Sequence, residues 1–262
     1  RGDGDHMIQS FSALALNGFR EARRNRITLV IGFFAIAMLL CTTLVTEVTV
    51  HTFNRVLTDV GLGVMSVMLV LLAIFLSSGL LSREIERRTV FLIVSKPISR
   101  SLFLAGRLAG NMLTLTVLLV GMAAVFFLQM SMYRDGISST QFVAIGVLWF
   151  ELLLLSSFGF VMSSFSSQIV SAVVTTGMYF AGHLATDVYN ISAKSKSEAL
   201  KALGKATYYL LPNLSRLNYR PQASYAIRVT PNEILSSIAY GTAYAGVLVV
   251  LAMILFSRRD FK

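Results

Sequence analysis

The chain has 262 residues, 55% of them hydrophobic and 14% charged, with a formal net charge of +10. That balance excludes an ordinary soluble domain and points to a membrane protein, in which basic residues first signify loops facing anionic headgroups. No basic and aromatic motif suited to nucleic acid accompanies the charge, and Cys41, the single cysteine, excludes disulfides within the chain and thiolate metal sites.

Residues 1–6 contain no apolar side chain and read as a remnant of an expression tag ahead of Met7, which leaves 7–262 as a single transmembrane domain. Ile8, Phe11, Leu14, Ala15, Phe19 and Ala22 then recur at helical spacing, with Arg20, Arg23, Arg24 and Arg26 gathered behind them. This is the pattern of an amphipathic helix lying in the cytoplasmic interface, or alternatively the frayed start of the first span. Apolar runs of about 20 residues, the length that crosses about 30 Å of hydrocarbon as helix, follow six times. They cover 27–46, 61–81, 108–130, 142–163, 169–189 and 234–256. Pro97, Pro212, Pro221 and Pro231 all fall between them, so the spans are expected to be uninterrupted.

Between the second and third runs stands SREIERRTVFLIVSKPISRS, Ser82 to Ser101. Glu84 can pair with Arg87 or Arg88 and carry the second helix beyond the bilayer. Lys96-Pro97 stops a helix, and Ser99 or Ser101 can cap the next one. Charge alone would make this a plain basic loop, but the apolar run through Val90, Phe91, Leu92 and Ile93 needs cover from a protein partner or from the chain's own helices.

Glu151 lies deep in the fourth run and His183 in the fifth, about 13 Å and about 10 Å from their outer ends at 1.5 Å per residue. An acid at that depth must be paired, protonated or facing water, and His183 is its natural partner. The pair reads either as a polar spot on a translocation path or as a lock between two helices. Asp187, one turn from His183, could join it as a metal ligand, but the sequence suggests no third. From Asn190 to Glu233 the chain offers a short amphipathic helix and then TYYLLPNLSRLNYR, a mixture suited to the headgroup layer, so short interfacial helices resting on the outer leaflet are expected. Thr230, Pro231 and Glu233 supply a cap, a first helical residue and an early acid for the sixth span. With both termini cytoplasmic, thirteen Lys and Arg lie inside against nine outside, and the two short outer loops carry one each, Arg55 and Arg134.

The run REIERRTVFLIVSKPISRSLFLAGRLAGN resembles the corresponding segment of ABC-2-type transporter permeases. There an acidic and basic helix end, a Thr, an apolar stretch, a Ser-Lys-Pro turn, an Arg and a Gly-containing helix start follow in that order. YYLLPNLSRLNYR and the tail FSRRDFK extend the likeness, and the nearest subgroup resembles the permeases of nitrous-oxide-reductase maturation and gliding-motility systems. The resemblance implies an all-α membrane protein of six transmembrane helices, both termini cytoplasmic, in a bacterial cytoplasmic membrane. It implies a permease subunit that couples ATP hydrolysis by a separate ATPase to export or to mechanical signalling, with two permeases, expected to be a homodimer, on two ATPases. A further partner at the outer face would fit a signalling role. Glu84, Glu86, Arg87, Arg88, Thr89, Pro97 and Arg100 would meet the ATPase, with Phe91 and Leu92 as apolar anchors and Arg20, Glu21 and Arg23 as a second contact. ATP and Mg would be bound by that partner and no cofactor by this chain. Its nearest phosphate-loop fragment, GKAT at Gly204, lacks the upstream glycine and the Ser or Thr after the lysine. The chain itself is therefore not expected to be an enzyme, and no H-E-x-x-H or G-x-S-x-G appears. A secondary transporter or channel working without an ATPase is the alternative.

Overall fold

The computed structural model describes residues 27–48, 53–86, 100–132, 137–195 and 197–257. Every regular element among them is helical: α1 Ile27–Val48, α2 Phe53–Glu86, α3 Arg100–Met130, α4 Ser139–Ser163, α5 Gln168–Ala193, α6 Glu198–Leu210, a 3-10 turn Leu214–Leu217, α7 Arg220–Ser224 and α8 Pro231–Ser257. Five helices are long and apolar enough to cross a membrane, over Phe53–Gly79, Leu102–Met130, Ser139–Ser163, Gln168–Ala193 and Pro231–Phe256, and α1 adds a shorter apolar stretch, Leu29–Leu44. The amphipathic leading helix with Arg20, Glu21 and Arg23 lies outside the described residues, as do Arg87, Arg88, Thr89, Phe91, Leu92 and Pro97. Glu84 and Glu86 fall at the end of α2 and Arg100 opens α3, so the hairpin is flanked by two long helices.

The helices overrun the apolar runs that announce them. α2 starts at Phe53 rather than near residue 61, while α3 starts at Arg100, ahead of its apolar run and where a helix capped by Ser99 is expected to begin. An apolar run marks what must be kept from water, whereas a helix continues through any residue that tolerates helical dihedrals, as Asn54, Arg55, Thr58 and Asp59 do here.

α4 occupies the centre. Its apolar side chains show no preferred side, the pattern of a helix buried all round. Accordingly α2, α3, α5, α7 and α8 all pack on it, α8 and α2 most broadly. Leu148, Leu152, Leu155 and Phe160 of α4 share the core with Met65 and Leu69 of α2, Leu115 and Met122 of α3, and Leu248 and Ala252 of α8. The Trp149 indole donates to Thr116 Oγ1 of α3 at 2.8 Å. α1 joins at the edge, where the Gln129 amide of α3 donates to the Met38 carbonyl at 3.1 Å and to the Thr42 hydroxyl. Away from the core, α1, α5 and α8 carry exposed apolar rows, such as Ile169, Val173, Phe180 and Leu184 on α5, which suit lipid or protein contact.

The end of the bundle that carries residues 194–230 is termed distal below. Here the chain does not rest flat on top. α6 runs antiparallel to the end of α5, with Gly204 against Ser192 and the Tyr208 ring 4.9 Å from that of Tyr189. It ends where Pro212 forces the preceding Leu211 into extended backbone, at φ −93° and ψ 144°. The 3-10 turn then sits inside the bundle. Side chains three residues apart share one face of such a turn, and Leu214 and Leu217 are both fully buried. α7 returns to the distal end, where Ser224 Oγ donates to Asp59 of α2 at 3.1 Å and Thr140 Oγ1 of α4 to the Ile227 carbonyl at 3.3 Å. The expected helical character of this segment is present, but Asn213, Leu214, Leu217, Tyr219, Ala223 and Ser224 are buried within the bundle rather than resting on its surface. Leu214 and Leu217 find apolar cover from α4, α5 and α8 that composition alone could not reveal. The expected start of the last span is present, with Pro231 opening α8 and the Thr230 carbonyl accepting from the Glu233 and Ile234 amides.

Candidate functional site

α4 runs from the distal end inward and α5 runs back out, so Glu151, 12 residues into α4, and His183, 10 residues before the end of α5, reach one layer about 15–18 Å below the distal helix ends. His183 Nε2 lies 2.9 Å from Glu151 Oε1. The carboxylate side chain is 3% exposed and the imidazole 20%, so the acid is sealed while its partner keeps one edge toward the surface. The Tyr179 ring, one turn along α5, stands edge-on to the imidazole at 4.7 Å. Its hydroxyl meets Ser66 of α2.

The distal segment closes this layer from the other side. Ser215 Oγ donates to the His183 carbonyl at 2.6 Å, and the Asn213 amide to Thr186 Oγ1 at 2.9 Å. The Asn213 backbone N–H donates to the Tyr240 hydroxyl of α8 at 2.7 Å, and the Tyr219 hydroxyl bonds to Ser237 Oγ at 2.9 Å. At Gly182 the approach is close enough to require glycine, since a Cβ there would stand 2.7 Å from the Pro212 carbonyl oxygen; at Gly63 a Cβ would stand 3.3 Å from Arg220 Nη1, the tip of a side chain that can give way. Glu151, Ser66, Asn218, Tyr219 and Arg220 line one cavity of about 10 Å³, which is room for one water.

The arrangement is a closed, hydrogen-bonded polar layer that ties α2, α4, α5, α8 and the distal segment together. Buried hydrogen bonds of this kind specify one packing, because any member that loses its partner is stranded without solvent. Of the residues singled out from sequence, the structure brings Glu151 and His183 together, and Asp187 faces outward. Among the described residues no three His, Cys, Asp or Glu converge as metal ligands. Sequence reasoning missed Arg220, Tyr179, Ser66 and Tyr219. The three-residue spacing of Leu211, Leu214 and Leu217 was the available signal that the Arg220 segment is packed inside.

Toward the other end of α4 the polar residues are small. Gly159 meets Ser77 of α2, with Thr175 of α5 nearby, and Ser171 and Ser166 hydrogen-bond at 2.8 Å. Small residues let helix backbones approach closely in a membrane, where packing rather than water drives association.

Residues 12–261 match the family model described as ABC-2 family transporter protein. Among curated proteins no relative matches the chain. The matched region contains every described helix, the central α4 and the inward-folded distal segment included. The chain belongs to the ABC-2 family of transporter proteins, membrane proteins that generally serve as the permeases of ABC transporters.

Proposed function

We propose that this chain is the transmembrane permease subunit of an ATP-binding-cassette transporter of a bacterial cytoplasmic membrane. It crosses the bilayer six times, α1 included, with both termini and the hairpin between α2 and α3 on the cytoplasmic side and the distal segment outside. A separate ATPase subunit binds ATP and Mg and grips that hairpin, and two permease copies work with two ATPases to drive export or to pass motion to the outer face. The carrying observation is the family match over residues 12–261 on a bundle with five membrane-length helices. The hairpin's chemistry supports the contact: Glu84 and Glu86 at the end of α2, Arg87, Arg88 and Thr89 beyond it, then apolar Phe91 and Leu92 before Pro97 and Arg100. A charged rim around an apolar anchor is what a specific protein interface needs. The closed polar layer fixes the distal half of the bundle.

Co-purification tests the proposal. The full chain is expressed with its ABC ATPase and pulled down with and without Arg88→Glu and Phe91→Ala. The native pair should co-elute, and the double substitution should lower recovery of the ATPase at least tenfold. An ATPase that fails to co-elute with the native chain, or one that binds equally well to the variant, overturns the docking assignment.

A further inference from the structure

Among the described residues of the distal layer, Arg220 is the one whose charge its hydrogen bonds do not balance. It opens α7 at the depth of Gly63, and its Nε donates to Asn218 Oδ1 at 3.3 Å, a neutral acceptor. Among the described residues no carboxylate stands within 4 Å of it. A guanidinium stays charged at any pH the protein meets, and one that is half-buried in a bundle needs an anion. Two carboxylates are near. Asp59, one turn of α2 nearer the distal end than Gly63, accepts from Ser224 and shares its cleft with Arg55. Glu151 faces the same water-sized cavity as Arg220, with only one of its oxygens engaged by His183. Both Glu151 and Arg220 lie within electrostatic reach of Tyr179.

We infer that Arg220 is the counter-charge of Glu151 across this cavity, and that the pair latches the distal segment as a lid over the polar layer. The segment is built to be held this way. Its descending limb ends on backbone contact with Gly182, its ascending limb is anchored at the distal end by Ser224 on Asp59, and Arg220 is, among the described residues, the only charged side chain it brings to the cavity that Glu151 faces. Glu151 belongs to α4, the central helix on which five others pack, so displacement of α4 and opening of the lid are coupled through one charge pair. The inference stands on the geometry of the distal half and needs no ATPase, so its outcome and that of the co-purification are independent.

Ala223, 3% exposed in α7, reports the lid. In a Cys41→Ala background, Ala223→Cys is placed in the full chain in detergent, where sidedness does not enter, and its maleimide labelling rate is measured. Arg220→Met alone and Glu151→Gln alone should each raise the rate at least tenfold. Together they should bring it back to within about threefold of the parent, because no uncompensated charge then remains. Asp59→Asn combined with Arg220→Met should show no such recovery. If Arg220→Met does not yield folded chain, Arg220→Gln, which keeps a donor for Asn218 without the charge, takes its place with the same outcomes. An unchanged rate in the single variants, a double variant equal to the product of the singles, or recovery with Asp59→Asn in place of Glu151→Gln overturns the latch.

Discussion

Gly182→Ala is the smallest change that challenges the placement of the distal segment. The new methyl carbon would stand 2.7 Å from the Pro212 carbonyl oxygen and 2.9 Å from Leu214 Cγ, where ordinary contact begins near 3.4 Å. The first of these is backbone, and it cannot swing aside as a side-chain tip can. Restoring contact moves the segment by about 0.7 Å against a packed interior, and overpacking of that order costs about 1–3 kcal/mol. For a bundle of this size that corresponds to a fall in melting temperature of about 2–12 °C. Gly177, on the same helix with nothing within 4 Å of its virtual Cβ, is the internal control. There alanine removes only the glycine penalty and should be neutral or stabilising by up to about 1 kcal/mol. Thermal unfolding of the purified full chain, followed by loss of the monodisperse peak, reads both. Equal effects at the two positions, or a stabilised Gly182→Ala variant, would refute the inward placement of residues 211–217.

Ala226 holds φ at 51°, a left-handed conformation, just past α7, where the Ile227 amide reaches back to the Gln222 carbonyl at 2.9 Å. Ala226→Gly should therefore stabilise the chain by up to about 1 kcal/mol in the same melting assay. Thr116→Val removes the acceptor of the Trp149 indole and should cost about 1 kcal/mol. Because Trp149 is the sole tryptophan, the loss should also shift its emission to the blue. Glu151→Leu strands the His183 imidazole and should cost about 3 kcal/mol or more, whereas Glu151→Gln keeps an acceptor for it and should cost less, about 1.5–2 kcal/mol. Melting of the two variants side by side checks the order.

What could be read from the sequence followed physical regularity. Apolar runs of membrane length announce helices because hydrocarbon leaves the backbone no other partner, and the depths of Glu151 and His183 could be compared because both sit on regular helices with a fixed rise. Helix ends were less legible: α2 takes in Asn54, Arg55 and Asp59, which no apolar pattern marks. Residues 211–224 escaped for a different reason. A 3-10 turn between two short helices has no extended period, and leucine, tyrosine and arginine in mixture describe a half-wet surface and a packed plug equally well. Only the long-range cover supplied by α4, α5 and α8 separates the two. Arg220 was hidden with them, since its significance lies in a neighbour on α4 that is 69 residues away in the chain.

Which side of the membrane each end of the bundle faces decides whether the hairpin can meet a cytoplasmic ATPase. In a Cys41→Ala background, single cysteines replace Lys96 in the hairpin and Ile227, which is 53% exposed at the distal end, and intact cells are treated with an impermeant maleimide. The cysteine at 227 should label in intact cells and the one at 96 only after the membrane is permeabilised. Labelling of position 96 from outside would put the hairpin beyond the reach of any cytoplasmic ATPase and contradict the account.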